Sequence, residues 1–342
     1  MLELSQIATF PRVNYSSNVQ TTPFDLSMVK WFNQSDIEIV RFLDEGRFSS
    51  VFVGEDTRSH REVVIKVLHP TYLGKVKREI RMLRACQRLQ YFIKLFGVVK
   101  CQSLRTVALI LESLGAEVEC LGHHAIPLNT EEVKHYMRCL LTGLKECHQL
   151  GIMHRDIKNR NIMVNRDSRE LRIIDLGLSE MYVPNKQYNP SVCSKSFKGS
   201  TPSDLTWYLM YLSLAPELLL DYLYYDFAID IWGAGCVFAG LLFRREPFFA
   251  GSDKTEVLRS IAAVVGSLSI RSWTQKYNIR VNTAMNRAVG NHSPTSWSAL
   301  KHKENAELCS DEALDLLSHM LEVDHHKRYT AEECLRHPYL TQ

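Results

Sequence analysis

The chain has 342 residues, 45% of them hydrophobic and 23% charged, a globular composition long enough for two lobes. Its formal net charge of +3 is too small to argue for a nucleic-acid partner. Nine cysteines, an odd number with no Cys-x-x-Cys pair, read as scattered thiols of a reducing compartment rather than a disulfide framework or a metal cluster.

The opening MLELSQIATFPRVNYSSN lacks the basic start, apolar run and small-residue cleavage site of a secretion signal, and the scattered thiols fit a cytoplasmic or nuclear protein. Residues 37–43 alternate well enough for a first strand, and residues 50–54 return after a turn at Asp44-Glu45-Gly46. Residues 62–68 form a third strand containing Val-Val-Ile-Lys, ending in Lys66. Residues 74–90 have apolar positions at Val76, Ile80, Leu83 and Leu89, which is helical spacing and puts Glu79 on a face that could meet Lys66. Residues 104–111 are a further apolar strand, and after about residue 115 the chain is helix-rich. Thr130 can cap a helix running to Leu150, with Glu131 and Glu132 in its first turn. Residues 229–243 are strongly apolar but interrupted by Asp230 and too short for a membrane span, so they predict a buried helix. No internal repeat or low-complexity tract is present.

The most informative stretch is His154-Arg155-Asp156-Ile157-Lys158-Asn159-Arg160-Asn161, followed fourteen residues later by Asp175-Leu176-Gly177. Phosphoryl transfer to a hydroxyl needs a carboxylate to accept the proton, a cation to steady the moving phosphate, and oxygen donors for magnesium. Asp156, Lys158, Asn161 and Asp175 supply that set in the order in which the catalytic and metal-binding loops of protein kinases carry it, and the chain resembles that family. The resemblance implies an α+β, bilobal protein-kinase fold with a β-rich N-lobe and a helical C-lobe. It makes Asp156 and Lys158 catalytic, and Asn161 and Asp175 the metal ligands. Lys66, oriented by Glu79, would hold the nucleotide phosphates, with Gly46 in the loop above them. Glu112-Ser113-Leu114 would be the hinge, with backbone groups of Glu112 and Leu114 receiving adenine. Val51, Val64, Met163 and Ile174 would sandwich the ring.

Within the kinases, the chain looks like the catalytic α subunit of casein kinase II. Ile152-Met153-His154-Arg155-Asp156, Arg172-Ile173-Ile174-Asp175, Phe197-Lys198-Gly199, the run FRREPFFAG from Phe243, and the end from Asp324-His325-His326 to His337-Pro338-Tyr339 carry the likeness. So do Arg12-Val13-Asn14 and Trp31-Phe32-Asn33-Gln34, where that family has its activating arm. The resemblance implies residues 1–36 as an arm packed on the activation segment, 37–114 as N-lobe and 115–342 as C-lobe. It further implies magnesium, ATP with GTP as an admissible donor, and acidic protein substrates. A regulatory β subunit would dock on the outer N-lobe sheet, where Ile37, Ile39, Phe52, Ile65 and Val67 are apolar. Glu217 and Arg328 match a pair that anchors the activation segment, and Asp230 matches the support of the catalytic loop. Neither a membrane nor a nucleic acid is expected as a partner.

Three departures stand against the pattern. Where a kinase has Gly-x-Gly, this chain has Asp44-Glu45-Gly46, and acidic side chains beside phosphates predict weaker ATP binding. Basic substrate contacts are thinned to Lys75, Lys77, Arg78, Lys195 and Lys198, which predicts a weaker or altered acidic preference. Residues 200–215, rich in Leu, Tyr and Trp, separate Lys198-Gly199 from Pro216-Glu217-Leu218-Leu219, which the family joins directly; the clean junction motivates the hypothesis of an unspliced short intron, against a genuine insert, and a transcript that encodes residues 200–215 would refute it. The alternative function is a pseudokinase or scaffold with impaired ATP binding.

Overall fold

The computed structural model describes residues 12–16, 24, 26–46, 49–69, 73–101, 106–122, 127–190 and 213–342. Lys195, Lys198 and most of the 200–215 insert therefore lie outside the described residues. The N-terminal lobe is a sheet of β1 (Trp31–Phe32), β2 (Ile37–Glu45), β3 (Ser49–Asp56), β4 (Arg61–Leu68), β5 (Leu95–Cys101) and β6 (Thr106–Glu112), in the order β1-β5-β6-β4-β3-β2. Only β1 pairs in parallel, against β5; the others are antiparallel. Helix α1 (Leu73–Ala85) follows β4.

Residues directly opposite in antiparallel strands share a face, so the register sorts this sheet into two surfaces. Phe42, Phe52, Ile65 and Ile110 form one row, on the outer face, where Phe32, Val63, Val99 and Ala108 complete a small apolar cluster. Asp44, Val51, Lys66 and Leu109 form the neighbouring row on the inner face. Phe32 closes over the outer cluster, so the sheet begins at Trp31, ahead of the expected start at residue 37. Of the expected partner-facing residues, Ile65 is buried, Ile37, Phe52 and Val67 are half-buried, and Ile39 is 56% exposed.

The larger lobe is helical. Its centre is α2 (Thr130–Gln149) and, after the four-residue α3 (Pro216–Leu219), α4 (Ala228–Phe243). Nearly every residue of α4 is buried, which explains its continuous apolar sequence. Among the described residues no helix is long and apolar enough to cross a membrane. The cap of α2 is Asn129 rather than Thr130: its side chain accepts from the Glu132 amide, and Glu132 reaches back to the Asn129 amide at 2.9 Å. Helix α1 ends at Ala85, short of the expected residue 90.

Residues 12–16 of the N-terminal arm lie on the large lobe. The Ser16 amide donates to Gln149 O at 2.7 Å, and Arg12 donates to Arg328 O at 2.8 Å while meeting the Glu333 carboxylate. The Tyr15 ring stands edge-on to Tyr182, centroids 5.4 Å apart, and leans on Phe227 at 5.8 Å.

Candidate active site

Alternation along β4 is what delivers Lys66. Val63 and Ile65 point into the outer cluster, so Val64 and Lys66 point inward. On α1, Val76, Ile80 and Leu83 are buried by their helical spacing, and Glu79 beside them turns toward the sheet. Lys66 Nζ donates to Glu79 Oε1 at 2.8 Å and to Asp175 Oδ1 at 2.9 Å, joining sheet, helix and the metal-binding loop at one ammonium. Burial works against this charge, but Asp175 and Glu79 outweigh it and hold the lysine above its ordinary pKa. Lys66 in turn holds the Asp175 carboxyl well below the usual range, against the desolvation that would raise it.

Asp175 sits at φ +63°, where a non-glycine residue is strained, and its side chain accepts from the Gly177 amide at 3.3 Å. Leu176, which follows, is fully buried. Arg155 is likewise left-handed, at φ +68°. The catalytic loop is held in that shape by Asp230 from α4, whose carboxylate accepts the His154 amide at 2.8 Å, the Arg155 amide at 2.7 Å and the His148 ring at 2.9 Å. Burial raises the Asp230 pKa, but its bonds to His148 and the His154 backbone prevail and keep it lowered, so the carboxylate is ionised where it is needed.

Asp156 projects from this loop. Lys158 Nζ donates to both its oxygens, at 3.0 and 2.9 Å, and the Asn161 amide donates to its backbone carbonyl and to Oδ2, both at 2.8 Å. Spending its NH2 group in this way leaves the Asn161 carbonyl oxygen to face a cation, and Asp175 has a second oxygen beyond the one bonded to Lys66. Two oxygen donors of this type suit magnesium, which keeps waters and takes its other ligands from phosphate. Among the described residues no cluster of three or more His, Cys, Asp or Glu offers a complete metal cage.

Val51, Val64, Met163 and Ile174 are half-buried, whereas Val53, Val63, Ile162 and Ile173 beside them are buried, as expected where apolar side chains line an open cleft. The Glu112 amide donates to Lys94 O at 2.9 Å and the Leu114 carbonyl accepts from Asn165 at 3.0 Å, so a base would have to meet the other backbone group of each. Sequence reasoning missed that the Glu112 side chain is clasped by Arg172, at 3.1 and 3.0 Å. A cue was present, since Arg172 and Glu112 each stand in an otherwise apolar run.

At the glycine-poor turn, Asp44 and Glu45 belong to β2 rather than to the turn itself, and the Gly46 amide donates to Ser49 O at 2.8 Å. Asp44 pairs with Val51 and so faces the cleft, while Glu45 pairs with Ser50 and faces away. The basic residues diverge as well. Lys75 and Lys77 are exposed, and Arg78 is turned to Glu180 at 3.4 Å, which links α1 to the segment after Asp175.

Glu217 and Arg328 form a bidentate pair at 2.8 and 3.1 Å, each with a side chain 0% exposed. Arg328 also donates to the carbonyls of Ala228 and Glu322, both at 2.8 Å, so its charge is fully bonded. Arg155 is equally committed: Nε to Leu178 O at 2.6 Å, one amino group to Tyr225 Oη at 3.0 Å, the other 3.7 Å from Glu180. The family model described as the protein kinase domain matches residues 37–340.

Proposed function

Because the chain belongs to the protein kinase family, we propose that it is an active Ser/Thr kinase of the casein kinase II catalytic type, transferring the γ-phosphate of ATP to hydroxyls near acidic residues. The observation that carries this reading is the ammonium of Lys66 bonded at once to Glu79 and Asp175, with Asp156 aligned by Lys158 and Asn161. These are the groups that position a nucleotide and a hydroxyl, and the contacts among them are already made.

In the proposed reaction, Asp156 accepts the substrate hydroxyl proton as oxygen attacks the γ-phosphorus and the bond to the ADP oxygen breaks. Lys158, within 3.0 Å of Asp156, lies where it meets the charge developing on the transferred group. Lys66 orients the α and β phosphates. Magnesium held by Asn161 and Asp175 would neutralise phosphate oxygens.

Activity without activation-segment phosphorylation is part of the proposal. Arg155 is satisfied by Glu180, Tyr225 and Leu178, and the arm residue Tyr15 packs edge-on against Tyr182 in the same segment. Cytoplasm and nucleus are the proposed locations. The proposed regulatory β subunit would use the outer sheet around Ile39, and GTP is proposed as a second donor on the resemblance alone.

The test is transfer of labelled phosphate from ATP to an acidic and to a basic serine peptide, with Asp156→Asn as control. Transfer to the acidic peptide, lost in the variant with the melting temperature kept, supports the reading; transfer unchanged by Asp156→Asn refutes it. A scaffold without catalysis is the second reading, favoured by Asp44 facing the cleft, and it predicts no incorporation by the parent chain.

A further inference from the structure

Residues 257–303 contain seven lysines and arginines and no aspartate or glutamate. At the chain's own frequency of 38 acids in 342 residues, about five would be expected there, and because the whole chain carries only +3, the remainder of it is net acidic. The stretch builds most of α5 (Lys254–Val265), then α6 (Ser267–Lys276) and α7 (Thr283–Val289). Two of its cations are answered from outside it, Lys276 by Asp324 at 2.7 Å and Lys301 by Asp311 at 3.5 Å. Arg271, Arg280, Arg287 and Lys303 are exposed and have no ion-pair partner among the described residues. Arg271 is nonetheless held in place: it donates to Gly290 O at 2.5 Å and to Asn291 Oδ1 at 2.9 Å, neutral acceptors that fix the guanidinium at the end of α7 without cancelling its charge. Arg287 stands in the last turn of the same helix, and Arg280 stands two residues ahead of its cap, Asn282. The helix has seven residues, so its ends lie about 10 Å apart, the span of roughly three extended residues. Its far end is pinned to α6, where Ser267 Oγ donates to Val289 O at 2.6 Å and accepts from the His292 amide at 2.7 Å. Next to Ser267, Leu268 is 76% exposed.

We propose that this face of the large lobe is a docking surface for an acidic protein segment, whose carboxylates meet Arg271, Arg280 and Arg287 while one apolar side chain rests on Leu268. Charge complementarity selects an anion, and the remaining composition selects among anions. Single-stranded nucleic acid is held by base stacking on exposed rings, but Trp273 and Tyr277 are buried and Trp297 is half-buried. A bilayer surface takes several apolar side chains at once, and Leu268 is the one exposed large hydrophobic residue of the stretch. Carboxylates spaced along a peptide suit arginines instead, because the planar guanidinium pairs with a carboxylate through two parallel bonds. Arg271 is already oriented by its two neutral acceptors, so less freedom is lost when it binds. The segment is held here by binding alone, so the surface is independent of phosphate transfer at the cleft.

The experiment is fluorescence anisotropy with the full chain and a labelled Glu/Leu peptide that lacks serine and threonine, compared with a Gln/Leu peptide, a single-stranded RNA and phosphatidylserine vesicles. The Glu/Leu peptide should bind, more weakly as salt is raised, and the Gln/Leu peptide should not. Arg280→Glu combined with Arg287→Glu should weaken the Glu/Leu peptide by roughly tenfold with the melting temperature kept, the scale of reversing two exposed charges. Should that pair lower the melting temperature, Arg280→Ala with Arg287→Ala carries the test, with a loss of roughly threefold expected. Lys75→Glu with Lys77→Glu, on the other lobe, should leave this binding as it is. Equal affinity of the parent and the arginine variants overturns the proposal, and so does a loss seen with the lysine variant alone. RNA or vesicles bound through these arginines more tightly than the peptide overturn it as well.

Discussion

At Asp44, register converts a matter of composition into one of charge placement. The residue shares a row with Val51 and Lys66, so its carboxylate is presented to the space where phosphates would lie, while Glu45 is turned away. Asp44→Gly should therefore lower the KM for ATP by roughly threefold to fivefold, a screened surface-charge effect, with kcat little changed. Glu45→Gly should leave the KM where it is, and equal effects from both would refute the assignment of faces. Asp226 offers a second reading of charge. Burial raises its pKa to about 6, opposed by the Ala228 amide. Between roughly pH 4 and 6 the folded protein thus keeps a proton that the unfolded chain has lost, so this group's contribution to stability falls as pH rises through that window. The melting-temperature advantage of Asp226→Asn over the parent should widen from pH 4 to pH 7; a gap independent of pH would show that Asp226 is not protonated in the fold.

Among the elements, α3 is fastened by one ion pair. Glu217→Ala would strand the Arg328 charge in the interior and should destabilise the large lobe by about 3–5 kcal/mol, read as a lower urea midpoint. A loss below about 1 kcal/mol would mean that the carbonyls of Ala228 and Glu322 suffice for Arg328. What was legible beforehand follows the same physics. The strands and the buried α4 declare themselves because burial on one face, or on all, writes its period into the chain. The groups around Asp156 were legible because phosphoryl chemistry fixes their kinds and spacing. Asp44 and Glu45 were read as turn residues because side-chain type suggests a turn, whereas only pairing with Val51 and Ser50 shows a strand. Asn129 and Thr130 are both good caps, and the bond from the Glu132 amide alone decides between them. The pairing of Arg78 with Glu180 was not legible, because Glu180 lies far along the chain.

At the scale of the molecule, the two lobes are joined at the cleft by the Lys66–Asp175 bond, and a ligand that bridges the same groups should stabilise the whole. ATP with magnesium at roughly a hundredfold excess over its Kd should add about 2.7 kcal/mol, seen as a rise in Tm, and chelation by EDTA should remove most of it. A shift insensitive to EDTA would discharge Asn161 and Asp175 from their proposed role. Arg155, finally, has consequences for how such an enzyme is governed. Its guanidinium is already answered on every side by Glu180, Tyr225 and Leu178, so a phosphate added to the activation segment would find no vacancy to fill. On the proposal that no activating phosphate is needed, a cell would govern such an enzyme as one governs a lamp without a switch: by how many copies are made, where they are put, and what is brought within their reach.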